Sequence, residues 1–87
     1  MPTVPLCHLC PGEGGTVQQI NTVGSMRRRL MDLGFIPGTA VACVGRSPAG
    51  DPAAYDVRGA VVALRQADAA TVLVQPWEGD HYEPQDG

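Results

Sequence analysis

The chain has 87 residues, 44% hydrophobic and 17% charged, which excludes a disordered or fibrous chain and predicts a single globular domain. Its formal charge is −3, and a net acidic chain lacks the positive surface expected of a general nucleic-acid-binding protein. No stretch approaches the roughly 18 apolar residues of a membrane helix, and the N-terminus lacks the pattern of a secretory signal. The composition therefore predicts a cytoplasmic domain that neither inserts into membranes nor binds nucleic acid.

Short strands separated by frequent turns are predicted from the eleven glycines and eight prolines. The domain is predicted to span residues 1–77, with 1–11 as an extended lead-in and 78–87 as a disordered acidic tail. A mobile hairpin loop is predicted at 47–52, where turn-forming residues cluster. Enrichment in β-branched and apolar residues between turns predicts five strands, at 16–20, 39–44, 54–58, 60–64 and 71–75.

One short helix is predicted between the first two of these strands. Met26, Leu30 and Leu33 recur at i, i+4 and i+7, which places them on one helical face. Ser25 offers an N-cap hydroxyl and Gly34 a left-handed C-cap. A helix of about nine residues is not stable alone, so its apolar face must pack on the sheet. We expect a mainly β fold, a small, strongly bent antiparallel barrel whose closure removes exposed strand edges.

The sequence offers no arrangement typical of an enzyme. His8 and His81 lie near opposite ends of the chain, and Ser25 and Ser47 suit a helix cap and a turn. The glycine patterns that cradle phosphates are absent. Because a small barrel is filled by its own side chains, we predict a binding domain without catalytic residues.

The Cys7-His8-Leu9-Cys10 segment is the sharpest chemical feature of the sequence. Two thiolates at this spacing can share one Zn²⁺, but a closed site needs about four ligands and a second such pair is missing. The plainer interpretation is that the cysteines are free thiols of a reducing compartment, with Cys43 in the core. The domain is therefore predicted to require no cofactor. Fe²⁺ or Zn²⁺ binding at Cys7, His8 and Cys10, or a redox role of the two cysteines, is the alternative.

Three consecutive arginines begin at Arg27, near the start of the predicted helix, where their charge opposes the positive end of the helix dipole. Arg28 and Asp32 have i, i+4 spacing, but with the base first, which is the less favourable order. These arginines weaken their own helix and gain no favourable contact within it, which indicates that they bind an anionic partner. The alternative is that they form a charged face exposed to solvent.

Apolar side chains follow these arginines around the end of the helix. Phe35 and Ile36 are adjacent, so we expect that they do not both point inward and that an exposed one serves as a docking residue. The predicted partner-binding residues are Arg27, Arg28, Leu33, Phe35 and Ile36.

The segment RLMDLGFIPGT at 29–39 resembles the RLxxLGfxPGt signature of the FeoA family, small bacterial accessory proteins of ferrous iron uptake. The segment SPAGDP at 47–52 is similar to the P-x-G-D-P loop of that family, and the similarity continues through 57–59 and 63–69. It covers about residues 12–75, so the Cys7 to Cys10 segment and the acidic tail lie outside it.

This resemblance implies an SH3-like barrel, a fold also found as the C-terminal domain of iron-dependent repressors of the diphtheria toxin repressor type. It implies an accessory and regulatory protein that binds the cytosolic part of the FeoB-type ferrous iron transporter. The alternative is a transition-metal-binding or metal-sensing module related to those repressors. The absence of a helix-turn-helix in this sequence favours the first. The sequence leaves open whether the chain forms a weak homo-oligomer.

Overall fold

A computed structural model describes residues 2–77, and their fold is a bent antiparallel sheet with one main helix. In chain order the elements are β1 (Val4–Pro5), a 3-10 turn (Leu6–His8), β2 (Gly14–Ile20), α1 (Gly24–Leu33), β3 (Ala40–Arg46), β4 (Ala53–Val57), β5 (Ala60–Leu64), α2 (Gln66–Ala69) and β6 (Val72–Pro76). The helix and the five predicted strands are confirmed, each boundary within two residues. The predicted tail lies outside the described residues.

The six strands form one sheet in the order β1-β6-β2-β3-β4-β5. The sheet is not closed, so the expectation of full closure was wrong, although the mainly β, SH3-like class is confirmed. One reason is that β1 has only two residues, and Pro5 lacks an N–H to donate to a neighbouring strand. Register shifts between Val17 and Gln19 in β2, and between Cys43 and Gly45 in β3, supply the sharp bends instead.

The hydrophobic core lies inside the bend of the sheet and beneath α1. On the helix, Leu30 is fully buried while Met26 and Leu33 pack against the core, which confirms the predicted stripe. No helix within residues 2–77 is long and apolar enough to cross a bilayer. The largest fully buried side chains are Tyr55, Phe35, Leu6, Leu30, Val17, Val41, Val57, Val72, Val74 and Cys43.

The N-terminal segment is part of the core rather than a lead-in. Val4 of β1 pairs with Val74 of β6, and both Leu6 and Leu9 are buried. The Arg46 guanidinium donates a hydrogen bond of 2.8 Å to the carbonyl oxygen of Leu9. The sequence did not indicate this role because a two-residue strand and a single 3-10 turn are too short to show a hydrophobic period.

Helix α1 ends as the sequence predicted but begins differently. Gly34 has a φ of +114°, and its N–H donates to the carbonyl oxygen of Met31 at 3.1 Å, which confirms the left-handed C-cap. The N-cap residue is Val23, and Ser25 lies inside the helix, so the prediction of Ser25 as N-cap was wrong. The chain enters through Gly24, whose φ of +71° suits glycine, and the helix begins two residues earlier than an N-cap at Ser25 would place it.

The loop at 47–52 joins β3 to β4. The Ser47 N–H donates to the carbonyl oxygen of Pro52 at 3.0 Å, and the Gly50 N–H donates to that of Ser47 at 2.8 Å. An Asp51 carboxylate oxygen also accepts a bond of 2.9 Å from the backbone N–H of Gln66, at the start of α2. The turn is therefore confirmed, and it is connected to the second helix; its mobility stays a prediction.

Candidate functional site

The exposed face of α1 carries the arginines that the sequence singled out. Arg27 donates a hydrogen bond of 2.7 Å from Nη1 to the carbonyl oxygen of Ile20, and so fastens the helix to the end of β2. This local role was missed from the sequence, because it depends on where β2 ends in space. Arg28 is exposed and forms no ion pair with any carboxylate in residues 2–77, Asp32 included. Of the two, Arg28 is the guanidinium available to a partner.

A shallow depression on this face is lined by Gly24, Arg27, Arg28, Met31 and Asp32. Met31 exposes 39% of its surface, which places a flexible thioether between charged groups. We did not single out Met31 from the sequence, although its i, i+3 spacing from Arg28 would have placed it beside that residue. The face therefore combines apolar contact with a largely cationic rim.

The prediction of Phe35 as an exposed docking residue was wrong, because its ring is fully buried. After the left-handed turn at Gly34, the Phe35 N–H donates to the carbonyl oxygen of Leu30 at 2.9 Å. This helix ending typically brings the following apolar side chain back against the last turn of the helix. Ile36 is the partly exposed member of the pair.

The predicted partner-binding residues do not form one surface. Arg27 and Arg28 line the depression on the outer face of α1, whereas Leu33 lies on another side of the helix. There it lines a groove of about 460 Å³, the α1–β5 groove, together with Met26, Arg29, residues 62–65 and Asp68.

The cysteine segment lies around the 3-10 turn. Cys7 is partly buried, His8 and Cys10 are exposed, and the Cys10 N–H donates to a Glu13 carboxylate oxygen at 2.7 Å. In the part of the chain that the structure describes, no three or more His, Cys, Asp or Glu side chains gather as metal ligands. Cys43 is buried as predicted, and all three thiols are free.

We expect the protein, purified under reducing conditions, to carry no stoichiometric iron or zinc. Two thiolates and one imidazole fall short of the about four ligands of a closed site. The measurement is elemental analysis of the wild type beside a Cys7→Ser/Cys10→Ser variant. A stoichiometric metal ion that this variant loses would contradict the expectation and favour a site at Cys7, His8 and Cys10.

A small cavity of about 60 Å³ lies beside the 3-10 turn, lined by Cys7, Arg46, Tyr55 and Gln66 among others. It is far below the roughly 300 Å³ or more of a typical ligand pocket. Burial, followed by the nearby Cys43 and Cys7 thiols, raises the pKa of Tyr55 to about 12. The Tyr55 hydroxyl therefore stays protonated near neutral pH and does not act as a base there.

Comparison with known proteins identifies the domain. Residues 4–76 match the family model of the FeoA domain. The chain belongs to the FeoA domain family. The match runs from β1 to the end of β6, so the N-terminal strand and the 3-10 turn are part of the FeoA domain rather than an appendage to it.

One curated relative joins this domain to a transporter. The chain is 30% identical over 70 residues to the Fe(2+) transport protein A/Fe(2+) transporter FeoB fusion protein of Porphyromonas gingivalis. The aligned region covers 80% of this chain but only 8% of the fusion protein. This FeoA domain is thus similar to a small part of a much longer polypeptide.

Solved structures agree with the fold. The FeoA-like protein from Clostridium acetobutylicum superposes with a TM-score of 0.82 at 29% identity, covering 95% of this chain and 96% of that one. FeoA of Stenotrophomonas maltophilia in complex with zinc, described as a prokaryotic SH3 domain protein, gives 0.73 at 29% identity, covering 86% and 91%. A manganese-dependent transcriptional repressor gives 0.74 at 22% identity, covering 84% and 41%, and this likeness concerns the fold alone.

Proposed function

We propose that this FeoA domain is a cytoplasmic accessory and regulatory protein of bacterial ferrous iron uptake, which binds the cytosolic part of a FeoB-type transporter. The observation that carries the proposal is the fusion in Porphyromonas gingivalis, where a related segment and a FeoB transporter share one polypeptide. Such a fusion holds two domains at high effective concentration, which is useful when they bind each other.

The proposed mode of action is binding rather than catalysis. The cavity beside Tyr55 is too small for an ordinary substrate, the inside of the bent sheet is filled by buried side chains, and the larger α1–β5 groove is lined by apolar side chains, two arginines and one carboxylate. The α1 face offers instead an open surface with an exposed Met31 beside Arg28. Exposed charges around an apolar contact chiefly accelerate association, whereas the apolar contact slows dissociation.

The charge distribution supports an anionic partner at this face. The six arginines of the chain all lie in residues 2–77, where they outnumber the five carboxylate side chains. The other four acidic residues lie at 78–87, so the net charge of −3 for the whole chain does not apply to residues 2–77. The arginine-rich helix is therefore suited to attract an acidic surface of the transporter.

The test is the association rate with the purified cytosolic domain of the FeoB-type transporter from the same organism. Arg28→Glu should slow association about threefold to tenfold at low ionic strength and flatten its salt dependence, because it reverses a steering charge. Arg27→Glu should act in the same direction, but it also removes the bond to Ile20, so its folding must be checked by circular dichroism.

A matched control separates this effect from net charge. The Gln18→Glu/Ala49→Glu variant changes the charge by the same amount as Arg28→Glu at two exposed positions away from the helix. It should bind at nearly the wild-type rate. If Arg28→Glu also binds at the wild-type rate and salt dependence, α1 is not the docking face; if the wild type does not bind, the proposed function fails.

A further inference from the structure

Strand β5 is an edge strand without the usual protection of an edge. It is last in the sheet order, and its sequence Ala-Val-Val-Ala-Leu contains neither a charged residue nor proline. Val61 exposes 64% of its surface, and Ala63 is exposed beside it. Natural sheets usually protect such edges with charges, prolines or bulges, because an open edge accepts another strand.

The geometry of the β4–β5 hairpin determines which backbone groups of β5 face this open edge. Its two-residue loop, 58–59, has positive φ angles at both positions, 53° and 85°, as in a type I′ turn. In such a hairpin the pair that flanks the loop, Val57 and Ala60, exchanges both ladder hydrogen bonds. Hydrogen-bonded pairs alternate along the ladder, so Val62 and Leu64 also bond β4.

Val61 and Ala63 therefore direct their N–H and C=O groups away from β4. No turn, loop or cap hydrogen bond within residues 2–77 uses these groups. The outer edge of β5 thus presents two donors and two acceptors at the spacing of an extended chain.

Helix α1 runs antiparallel to this edge. A Cβ built at Gly34, at the end of the helix, would meet the Arg58 side chain at 2.7 Å, so Arg58 lies over that end. Met26, near the start of the helix, lines the α1–β5 groove together with Arg65 at the far end of β5. The open edge consequently forms one side of a groove that is as large as many ligand pockets.

The groove combines an apolar floor with a mainly positive rim. Met26, Leu33 and Val62 are partly buried and pack against the core. Arg29 and Arg65 line the groove, and among the described residues no carboxylate forms an ion pair with either. The lining contains one acidic side chain, Asp68, so the excess charge is positive.

We propose that the outer edge of β5 and the α1–β5 groove bind an extended acidic segment of a partner protein as a seventh strand. The segment bonds Val61 and Ala63 through its backbone, places apolar side chains on the groove floor, and directs carboxylates to Arg29 and Arg65. The proposal rests on the proposed function, because it assigns this segment to the cytosolic part of the transporter.

A second copy of the chain fits the edge less well. Full antiparallel overlap of two β5 strands sets Val61 of each copy opposite Ala63 of the other. Arg65 of one copy then lies opposite Gly59 and next to Arg58 of its partner, so like charges meet at both ends of the pair. An acidic segment meets the same arginines with favourable charge.

The first experiment measures amide hydrogen exchange in the wild-type protein with and without the transporter's cytosolic domain. The amides of Val61 and Ala63 should become at least tenfold better protected, whereas those of Val62 and Leu64 should change little because they already bond β4. A domain that binds yet leaves Val61 and Ala63 unprotected overturns the edge proposal and leaves the proposed function intact.

Two variants test the backbone and the charge separately. Ala63→Pro removes the outward N–H without removing a bond to β4, and should weaken binding of the transporter domain about tenfold. Ala63→Val keeps that N–H and should bind like the wild type. Arg65→Glu should weaken binding, whereas the Gln18→Glu/Ala49→Glu control should not. Unchanged affinity of folded Ala63→Pro and Arg65→Glu overturns the proposal.

A synthetic peptide tests the edge without the transporter. The peptide Glu-Val-Glu-Val-Glu-Val should shift the amide resonances of Val61 and Ala63, and Lys-Val-Lys-Val-Lys-Val should shift them much less. If the transporter domain does not bind at all, the proposed function fails. Absence of shifts with the acidic peptide then overturns the edge proposal on its own.

Discussion

Phe35→Ala should lower the free energy of unfolding by about 3–5 kcal/mol, the usual range for truncating a buried phenylalanine. The ring is fully buried beneath the end of α1, so alanine leaves a cavity that the surrounding strands do not easily fill. The free energy is measured by urea denaturation, followed by circular dichroism and by the fluorescence of Trp77, the single tryptophan of the chain.

The neighbouring residue provides the control for this prediction. Ile36 is partly exposed, so Ile36→Ala removes less buried surface and should cost clearly less free energy. Denaturation midpoints that change equally for Phe35→Ala and Ile36→Ala would show that Phe35 does not occupy the core.

Gly15→Ala should destabilise the domain by about 1–3 kcal/mol or more, because the new methyl group has no space. A Cβ at Gly15 would lie 2.5 Å from the carbonyl oxygen of Gln75 and 3.1 Å from Cα of Pro76. Both atoms belong to the backbone of β6, which cannot rotate away as a flexible side chain would. The central strands β2 and β6 must separate to admit the methyl group, and the loss is measured as a lower urea midpoint.

Gly45→Ala is the matched control in the neighbouring strand. A Cβ at Gly45 meets no atom within 4 Å, so the substitution should be close to neutral. A gain of about 0.4–1 kcal/mol agrees with the same expectation, because alanine restricts the unfolded chain. Equal losses for Gly15→Ala and Gly45→Ala would mean that glycine is needed in both strands for a reason other than space.

The sequence predicted the local elements of the fold well, because their signals are local. The stripe of Met26, Leu30 and Leu33 defined the helix, and the glycine after it defined its end. The openness of the sheet was not predictable in this way, since it depends on whether β1 and β5 meet in space. The burial of Leu6 and Leu9 was missed for a related reason: only the folded sheet shows what covers them.

The candidate site was predicted less completely than the fold. The sequence indicated the arginines of α1, but not that Arg27 is bonded to the backbone of Ile20 while Arg28 is available. It named both Phe35 and Ile36 as docking residues, because two adjacent apolar residues cannot both be assigned to the core by their period and the sequence does not show which of them is exposed. The left-handed turn at Gly34 decides which of them points inward, and Phe35 is the one that does.

The pairing of β1 with β6 has a consequence for how such a domain is attached to a larger protein. Val4 and Val74 lie opposite each other, so the chain enters and leaves the domain side by side. A covalent tether at either end starts from this pair of strands, whereas the open edge of β5 belongs to the other end of the sheet order. Attachment at either end thus involves β1 and β6, whereas the edge proposed for recognition belongs to β5, a different strand of the sheet.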